Sequence, residues 1–99
     1  MLQSCQLLQS GMHVDRDKVF LSPGANVQQC WGFIEAVQEF SILVDQAGKT
    51  LLGACPDEDT KTVQIVKVFV DYARAHPNKL NLPAAAVAYN AMADAFPCK

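Results

Sequence analysis

The fold is decided by the segment from Cys55 to Tyr72, which reads CPDEDTKTVQIVKVFVDY. Its many β-branched residues and its partial alternation are typical of a strand. The opposing signal comes first in the segment: Pro56 and the acids of residues 57–59 are typical of a helix N-terminus, where they complement the helix dipole. On a helix, the polar side chains fall in one narrow arc, formed by Thr60, Gln64, Lys67, Asp71 and Arg74. The segment therefore predicts a helix over about residues 60–75.

That helix carries apolar side chains on both sides of its polar arc. One flank holds Val63, Val66, Val70 and Ala73, and the other holds Ile65, Val68 and Tyr72. A helix that is apolar over most of its circumference is typical of the central helix of a bundle. We expect it to be the most buried element, with Val66, Phe69, Val70 and Ala73 in the core.

Three further helices are predicted around it. Leu2, Cys5 and Leu8 are spaced three apart, and Gly11 ends this first helix. The second helix is predicted from Asn26 to Val44. Its inward face is expected to carry Phe33, Val37, Phe40 and Val44, with Cys30, Ile34 and Ser41 beside them, and its outer face Gln28, Glu35 and Glu39. After it, Gly48 is predicted to adopt a left-handed conformation.

The last helix follows His76-Pro77-Asn78, which ends the third, and Pro83 suits its first turn. Its inward residues are predicted to be Val87, Ala88, Ala91, Met92 and Ala95, and Pro97 stops it. Residues 12–25 show no sustained period and predict a loop, with Val19, Phe20 and Leu21 turned toward the core. Residues 1–99 thus predict one domain with an all-α fold, a small four-helix bundle.

Gly32 and Ala36 lie one turn apart on a separate stripe of the second helix. Small residues are tolerated in a helix without any special role. They also permit a close helix crossing at which larger side chains do not fit. We favour the crossing as the interpretation.

The 99 residues include four cysteines, none in a Cys-x-x-Cys pair, which is typical of a disulfide-bonded domain from an oxidising compartment. A short turn joins the third and fourth helices, so they should be antiparallel, with Cys55 and Cys98 at the same end. This geometry predicts a Cys55–Cys98 disulfide, and elimination leaves Cys5–Cys30. The clustered spacings of a zinc site are absent.

Composition limits the classes of partner. A net charge of −2 and a pI near 5.5 do not favour binding to nucleic acid or to an anionic membrane. Apolar residues make up 51% of the chain. This surplus indicates either an alanine-rich helical core or an apolar patch for a partner or a second copy. No membrane-spanning run is present, and we expect an export signal to have been removed before Met1.

Candidate catalytic residues are few. His13 lies in a charged loop and His76 at a helix end, positions that are usual for plain surface residues. Asp57, Glu58 and Asp59 form an acidic cluster, but a helix N-terminus selects acids without any metal. We therefore expect no enzyme activity, no cofactor and no metal.

The chain resembles the Rap/Tai family, periplasmic immunity proteins that neutralise peptidoglycan amidase effectors of type VI secretion systems. The resemblance covers roughly residues 26–99, with Cys5 matching more loosely, and Ala36 stands where the family usually has a second glycine. The matching elements are Cys30-Trp31-Gly32-Phe33-Ile34, Cys55-Pro56, Gln64 before a valine-rich helix, Tyr72, His76-Pro77, the alanine-rich last helix and Phe96-Pro97-Cys98.

The resemblance implies a periplasmic helical homodimer that occludes the catalytic cleft of a cognate amidase without chemistry of its own. An exported binding or chaperone-like module without a cognate toxin remains the alternative. The residues that contact the toxin lie outside the family motif and vary with the toxin, so the resemblance does not identify them in this chain. From the sequence we predict them in the connection from Asp45 to Asp59, at Gly48, Lys49, Asp57, Glu58 and Asp59. An ordinary solvated loop with capping acids would look the same, and the 12–24 loop with His13, Asp15 and Asp17 is the next candidate.

Overall fold

A computed structural model describes residues 1–16, 18–21, 24–41, 43–50, 53–56 and 59–98. Its elements, in chain order, are α1 (Leu2–Gly11), β1 (His13–Asp15), β2 (Lys18–Phe20), α2 (Ala25–Phe40), α3 (Thr62–Ala75) and α4 (Ala84–Ala95). A 3₁₀ turn, Pro77–Lys79, joins α3 to α4. The predicted all-α four-helix bundle is confirmed.

Helix α3 lies at the centre of this bundle and packs against α1, α2 and α4. All four residues predicted for the core are buried: Val66, Phe69, Val70 and Ala73. Ile65 is buried with them, and the rings of Phe33 and Phe69 meet edge to face at 5.8 Å. The helical interpretation of the β-branched segment is therefore correct.

The start of α3 differs from the prediction. The helix begins at Thr62, and its first turn holds no acidic residue. Gln64 caps it instead, since its Oε1 accepts a hydrogen bond of 2.8 Å from the backbone N–H of Lys61. Asp59 lies before the helix and is exposed, so it is not in the first turn. Asp57 and Glu58 lie outside the described residues.

A polar side chain of α2 holds the start of α3 in place. Gln38 Nε2 donates to the carbonyl oxygen of Thr60 at 3.1 Å, and Gln38 Oε1 accepts from the hydroxyl of Thr62 at 2.9 Å. Both bonds are partly buried, where they are better shielded from competing water. They fix the direction in which the chain enters α3.

Helix α2 is shorter than predicted. It ends at Phe40, where the hydroxyl of Ser41 donates to the carbonyl oxygen of Gln38 at 2.6 Å. Ser41, Val37, Ile34 and Cys30 are buried as expected. Phe40 and Val44 are exposed instead: α2 ends at Phe40, so its apolar period does not continue to Val44.

The predicted crossing at Gly32 and Ala36 is wrong. Both residues are exposed, and a Cβ added at Gly32 would meet no atom within 4 Å. The buried stripe of α2 runs through Val27, Cys30 and Ile34 instead. The small residues of this helix therefore do not bring another helix close.

The region predicted as a loop contains an antiparallel hairpin. Its register pairs His13 with Phe20 and Asp15 with Lys18, and Arg16 at the turn has a φ of 57°. A positive φ matches the twist of a two-residue hairpin connection. Leu21 packs against the core as predicted, whereas Phe20 is exposed and lies beside the ring of His13 at 6.1 Å.

Both predicted disulfides are present. Cys5–Cys30 joins α1 to α2 with a Cα separation of 5.1 Å, and Cys55–Cys98 joins the segment before α3 to the residues after α4, at 5.0 Å. In α4 the predicted inward residues Val87, Ala88, Ala91 and Met92 are buried. Ala95 is exposed, because it lies in the last turn beyond the core.

Candidate functional site

A tight turn at residues 45–49 projects from the end of the bundle. Asp45 Oδ1 accepts hydrogen bonds from the backbone N–H groups of Ala47, at 2.8 Å, and Lys49, at 3.0 Å. The backbone N–H of Asp45 donates to the carbonyl oxygen of Lys49 at 2.8 Å. Gly48 has a φ of 81°, as predicted, which a residue with a Cβ adopts only with strain. These bonds make the turn rigid before any partner binds.

The residues beside this turn connect it to the C-terminal end of α4. Val44 and Thr50 form an antiparallel bridge, and the hydroxyl of Thr50 lies 3.4 Å from Cys98 Sγ. Farther along, Ala54 is buried and bridges to Pro97. The backbone N–H of Cys55 donates to the carbonyl oxygen of Phe96 at 2.8 Å. The two ends of the turn are thus joined to each other, and Thr50 connects them to Cys98.

Exposed apolar side chains border the turn. Phe40, Leu43 and Val44 all project into solvent just before Asp45. We call these three residues, together with residues 45–49, the turn surface. An exposed cluster of large apolar side chains is typical of a protein-binding site. The sequence reading placed Phe40 and Val44 in the core; the Asp45-to-Gly48 turn signature was the signal that the helix ends earlier.

The other predicted contact residues are placed as follows. Gly48 and Lys49 are exposed on the turn. Asp59 is exposed and lines a shallow groove of about 420 Å³ with Gln64, Lys67 and Phe96. Phe96 also receives the backbone bond from Cys55, so Asp59 and the turn lie at the same end of the α3–α4 hairpin. Asp57, Glu58 and Asp17 fall outside the described residues.

The two histidines lie on different elements. The ring of His76 stacks on Tyr72 at 4.1 Å, and its Nδ1 lies 2.9 Å from the carbonyl oxygen of Tyr72. Lys79 Nζ donates to the hydroxyl of Tyr72 at 2.9 Å. This cluster fixes the 3₁₀ turn against α3. Sequence reasoning missed it, although the spacing of four between Tyr72 and His76 was a signal for it.

Neither a metal centre nor a membrane-spanning helix is found among residues 1–16, 18–21, 24–41, 43–50, 53–56 and 59–98. In these ranges, no group of three or more His, Cys, Asp or Glu side chains is placed to hold a metal ion. Within the same part of the chain, no helix has both the length and the apolar character needed to cross a membrane.

The chain was compared with known protein families. The family model of Rap1a immunity proteins matches residues 2–98, from the start of α1 to Cys98. The chain belongs to the Rap1a immunity protein family. The resemblance noted in the sequence is thereby confirmed and extends to the N-terminal helix. No curated protein and no solved structure shows significant similarity to the chain.

Membership of the Rap1a family implies a protein that binds a toxin and inhibits it without catalysis of its own. It also suggests that the protein is exported, in agreement with the two disulfides. For this Rap1a-family chain, the functional site that family membership implies is therefore a protein-binding surface.

Proposed function

We propose that this protein is a periplasmic immunity protein that occludes the catalytic cleft of a cognate type VI secretion peptidoglycan amidase. The turn surface is the part that binds, with Gly48 and Lys49 at its tip, and the acids Asp57, Glu58 and Asp59, which follow it in the sequence, are proposed as further contacts. The observation that carries this proposal is the turn itself, rigid, exposed and bordered by three apolar side chains. Family membership supports the toxin as partner.

The energetics of binding favour such a surface. A partner that binds a mobile loop must first order it, and each immobilised side chain costs on the order of 1 kcal/mol. Here Asp45 and the bridge from Val44 to Thr50 already hold the backbone. Burying Phe40, Leu43 and Val44 against a cleft wall supplies the apolar contribution that interface centres require.

We expect the double variant Leu43→Ser/Val44→Ser to weaken binding to the amidase by about 30-fold or more, the loss typical of central interface residues. The matched control is Leu80→Ser/Leu82→Ser. In the wild type Leu43 and Val44 are 44% and 54% exposed, and Leu80 and Leu82 are 45% and 42% exposed. Both variants should therefore fold equally well. Calorimetric titration with the amidase measures the effect, and equal losses in both variants would contradict the proposed site.

A second prediction concerns the acids of residues 57–59. Replacing Asp57, Glu58 and Asp59 by serine should reduce affinity and also make it less dependent on salt, since the attraction between charges on two proteins acts over a distance that salt shortens. Circular dichroism should show an unchanged helix content. Unchanged affinity in this variant would show that the three acids do not contact the toxin. The hairpin with His13, Asp15 and Asp17 would then be the next candidate contact region.

We also propose that the protein is a homodimer, as the family resemblance implies. Supporting this, Leu80 and Leu82 line a second open groove of about 420 Å³ together with Met1 and Leu2. Light scattering on the two double variants described above would show which apolar face the dimer uses. It would also show whether the Leu80→Ser/Leu82→Ser variant keeps the oligomeric state of the wild type, which its use as the binding control requires. A monomeric wild type would contradict this part of the proposal.

A further inference from the structure

The two disulfides differ in their access to solvent. Cys5 and Cys30 are both 0% exposed and belong to the buried core with Leu8 and Ile34. Cys55 and Cys98 are exposed, outside that core. A disulfide is exchanged only when a thiolate reaches one of its sulfur atoms, so access decides which bond reacts. The folded protein therefore offers one disulfide to an attacking thiol and shields the other.

We propose that Cys55–Cys98 is a thiol–disulfide exchange site whose partner is a dithiol oxidoreductase of the Cys-x-x-Cys type. Its reduction loosens residues 43–50 and 53–56 from the end of α4, while Cys5–Cys30 stays oxidised and the helices stay packed. The inference does not depend on which toxin the protein binds. In this proposal, the redox state of Cys55–Cys98 controls how firmly the segment that contains the turn is held.

The position of Thr50 sets the direction of the exchange. Its hydroxyl lies 3.4 Å from Cys98 Sγ and is placed to donate a hydrogen bond to a negative charge that develops there. A sulfur whose thiolate is stabilised leaves faster. The incoming thiolate therefore attacks Cys55 Sγ, and Cys98 leaves.

The atoms and electrons balance in two steps. The partner's thiolate first bonds to Cys55 Sγ as the Cys55–Cys98 bond breaks, and the Cys98 thiolate takes up a proton. The partner's second thiolate then attacks its own sulfur in the mixed disulfide, and Cys55 leaves and is protonated. The disulfide gains two electrons, and the dithiol loses two electrons and two protons as it becomes a disulfide.

Reduction would leave few ties between the segment and α4. Among the described residues these are the backbone bond from Cys55 to Phe96 and the bridge from Ala54 to Pro97. The contact between Thr50 and the Cys98 sulfur depends on where Cys98 is held. Without the covalent bond, the backbone of residues 43–56 should open more often, whereas α1 and α2 remain joined by Cys5–Cys30.

The first experiment incubates the oxidised protein with a reduced thioredoxin-type protein under native conditions, followed by alkylation and peptide mapping. We expect Cys55 and Cys98 to be alkylated while Cys5 and Cys30 stay linked. Hydrogen exchange on the same sample should be faster in residues 43–56 and unchanged in α1 and α2. Simultaneous loss of both disulfides, or earlier loss of Cys5–Cys30, would overturn the proposal. So would unchanged exchange rates after selective reduction.

The second experiment uses a thioredoxin-type protein whose resolving cysteine is replaced by serine, so that the mixed disulfide is trapped. The adduct should lie on Cys55, and an adduct on Cys98 would overturn the assigned direction. Thr50→Val should slow reduction severalfold. Its matched control is Thr60→Val, because the Thr60 hydroxyl makes no hydrogen bond to any described residue. Equal rates in the two variants would overturn the role of Thr50.

Discussion

Replacing Val66 by aspartate should leave the chain unfolded. Val66 is 1% exposed and lies in α3, which contacts each of the other three helices. An aspartate there would bury a carboxylate without a partner, at a cost of several kcal/mol. A domain of this size is stable by only about 5–15 kcal/mol. Circular dichroism should show loss of the helical signal at neutral pH.

Two matched variants separate burial of charge from other effects of the substitution. Asn90→Asp places the same carboxylate on the exposed face of α4 and should fold normally. Val66→Ala removes buried methyl groups without adding charge and should cost about 2 kcal/mol. A soluble, helical Val66→Asp protein with an unchanged melting temperature would show that α3 is not the core helix.

The reason α3 could be predicted from the sequence lies in its polar arc. β-branched residues favour a strand, but only a helix brings Gln64, Lys67 and Asp71 onto one side, because a strand would place Gln64 and Lys67 on opposite faces. In the structure Lys67 and Asp71 form an ion pair of 2.8 Å, and both apolar flanks contribute buried residues, namely Val66, Val70 and Ala73 on one and Ile65 on the other. Periodicity over fourteen residues outweighed local propensity. The pairing of the cysteines followed from the antiparallel arrangement of α3 and α4.

The end of α2 could not be predicted in the same way. Phe40 and Val44 continue the apolar period of this helix, and the pattern alone places them in the core. Local polar groups decide otherwise, because Ser41 bonds back to Gln38 and Asp45 organises the next turn with its own carboxylate. The apolar part of the proposed site therefore appeared only in the structure, whereas Gly48 and Lys49 were predicted from turn chemistry.

The hairpin and the cap of α3 show a similar limit. Three-residue strands are too short to give a recognisable alternation, so residues 12–25 predicted only a loop. At α3, the acids of residues 57–59 were a plausible first turn. The side chain of Gln64 satisfies the backbone of Lys61 instead, and the helix begins at Thr62, beyond the acids. Residue spacing alone does not decide whether the acids of residues 57–59 or the side chain of Gln64 caps the helix.

Removing the buried disulfide should produce the second large effect. The double variant Cys5→Ala/Cys30→Ala loses a cross-link between residues 25 apart, which in the loop-closure model contributes about 3.5 kcal/mol. Both sulfur atoms are also fully buried, so their removal leaves cavities that add on the order of 1 kcal/mol. We expect the melting temperature to fall on the order of 20 °C, measured by calorimetry.

The matched control is Cys55→Ala/Cys98→Ala, and comparing the two variants distinguishes two accounts of disulfide stability. The Cys55–Cys98 bond spans 43 residues, so loop entropy alone makes it slightly the more stabilising, at about 4 kcal/mol. Packing predicts the reverse order, because only Cys5 and Cys30 lie in the core. We expect packing to decide, with the Cys5/Cys30 variant the less stable in urea denaturation. If the Cys55/Cys98 variant were instead the less stable of the two, the restriction of the unfolded chain would determine how much each disulfide stabilises the protein. The packing of α1 against α2 would then be the smaller contribution.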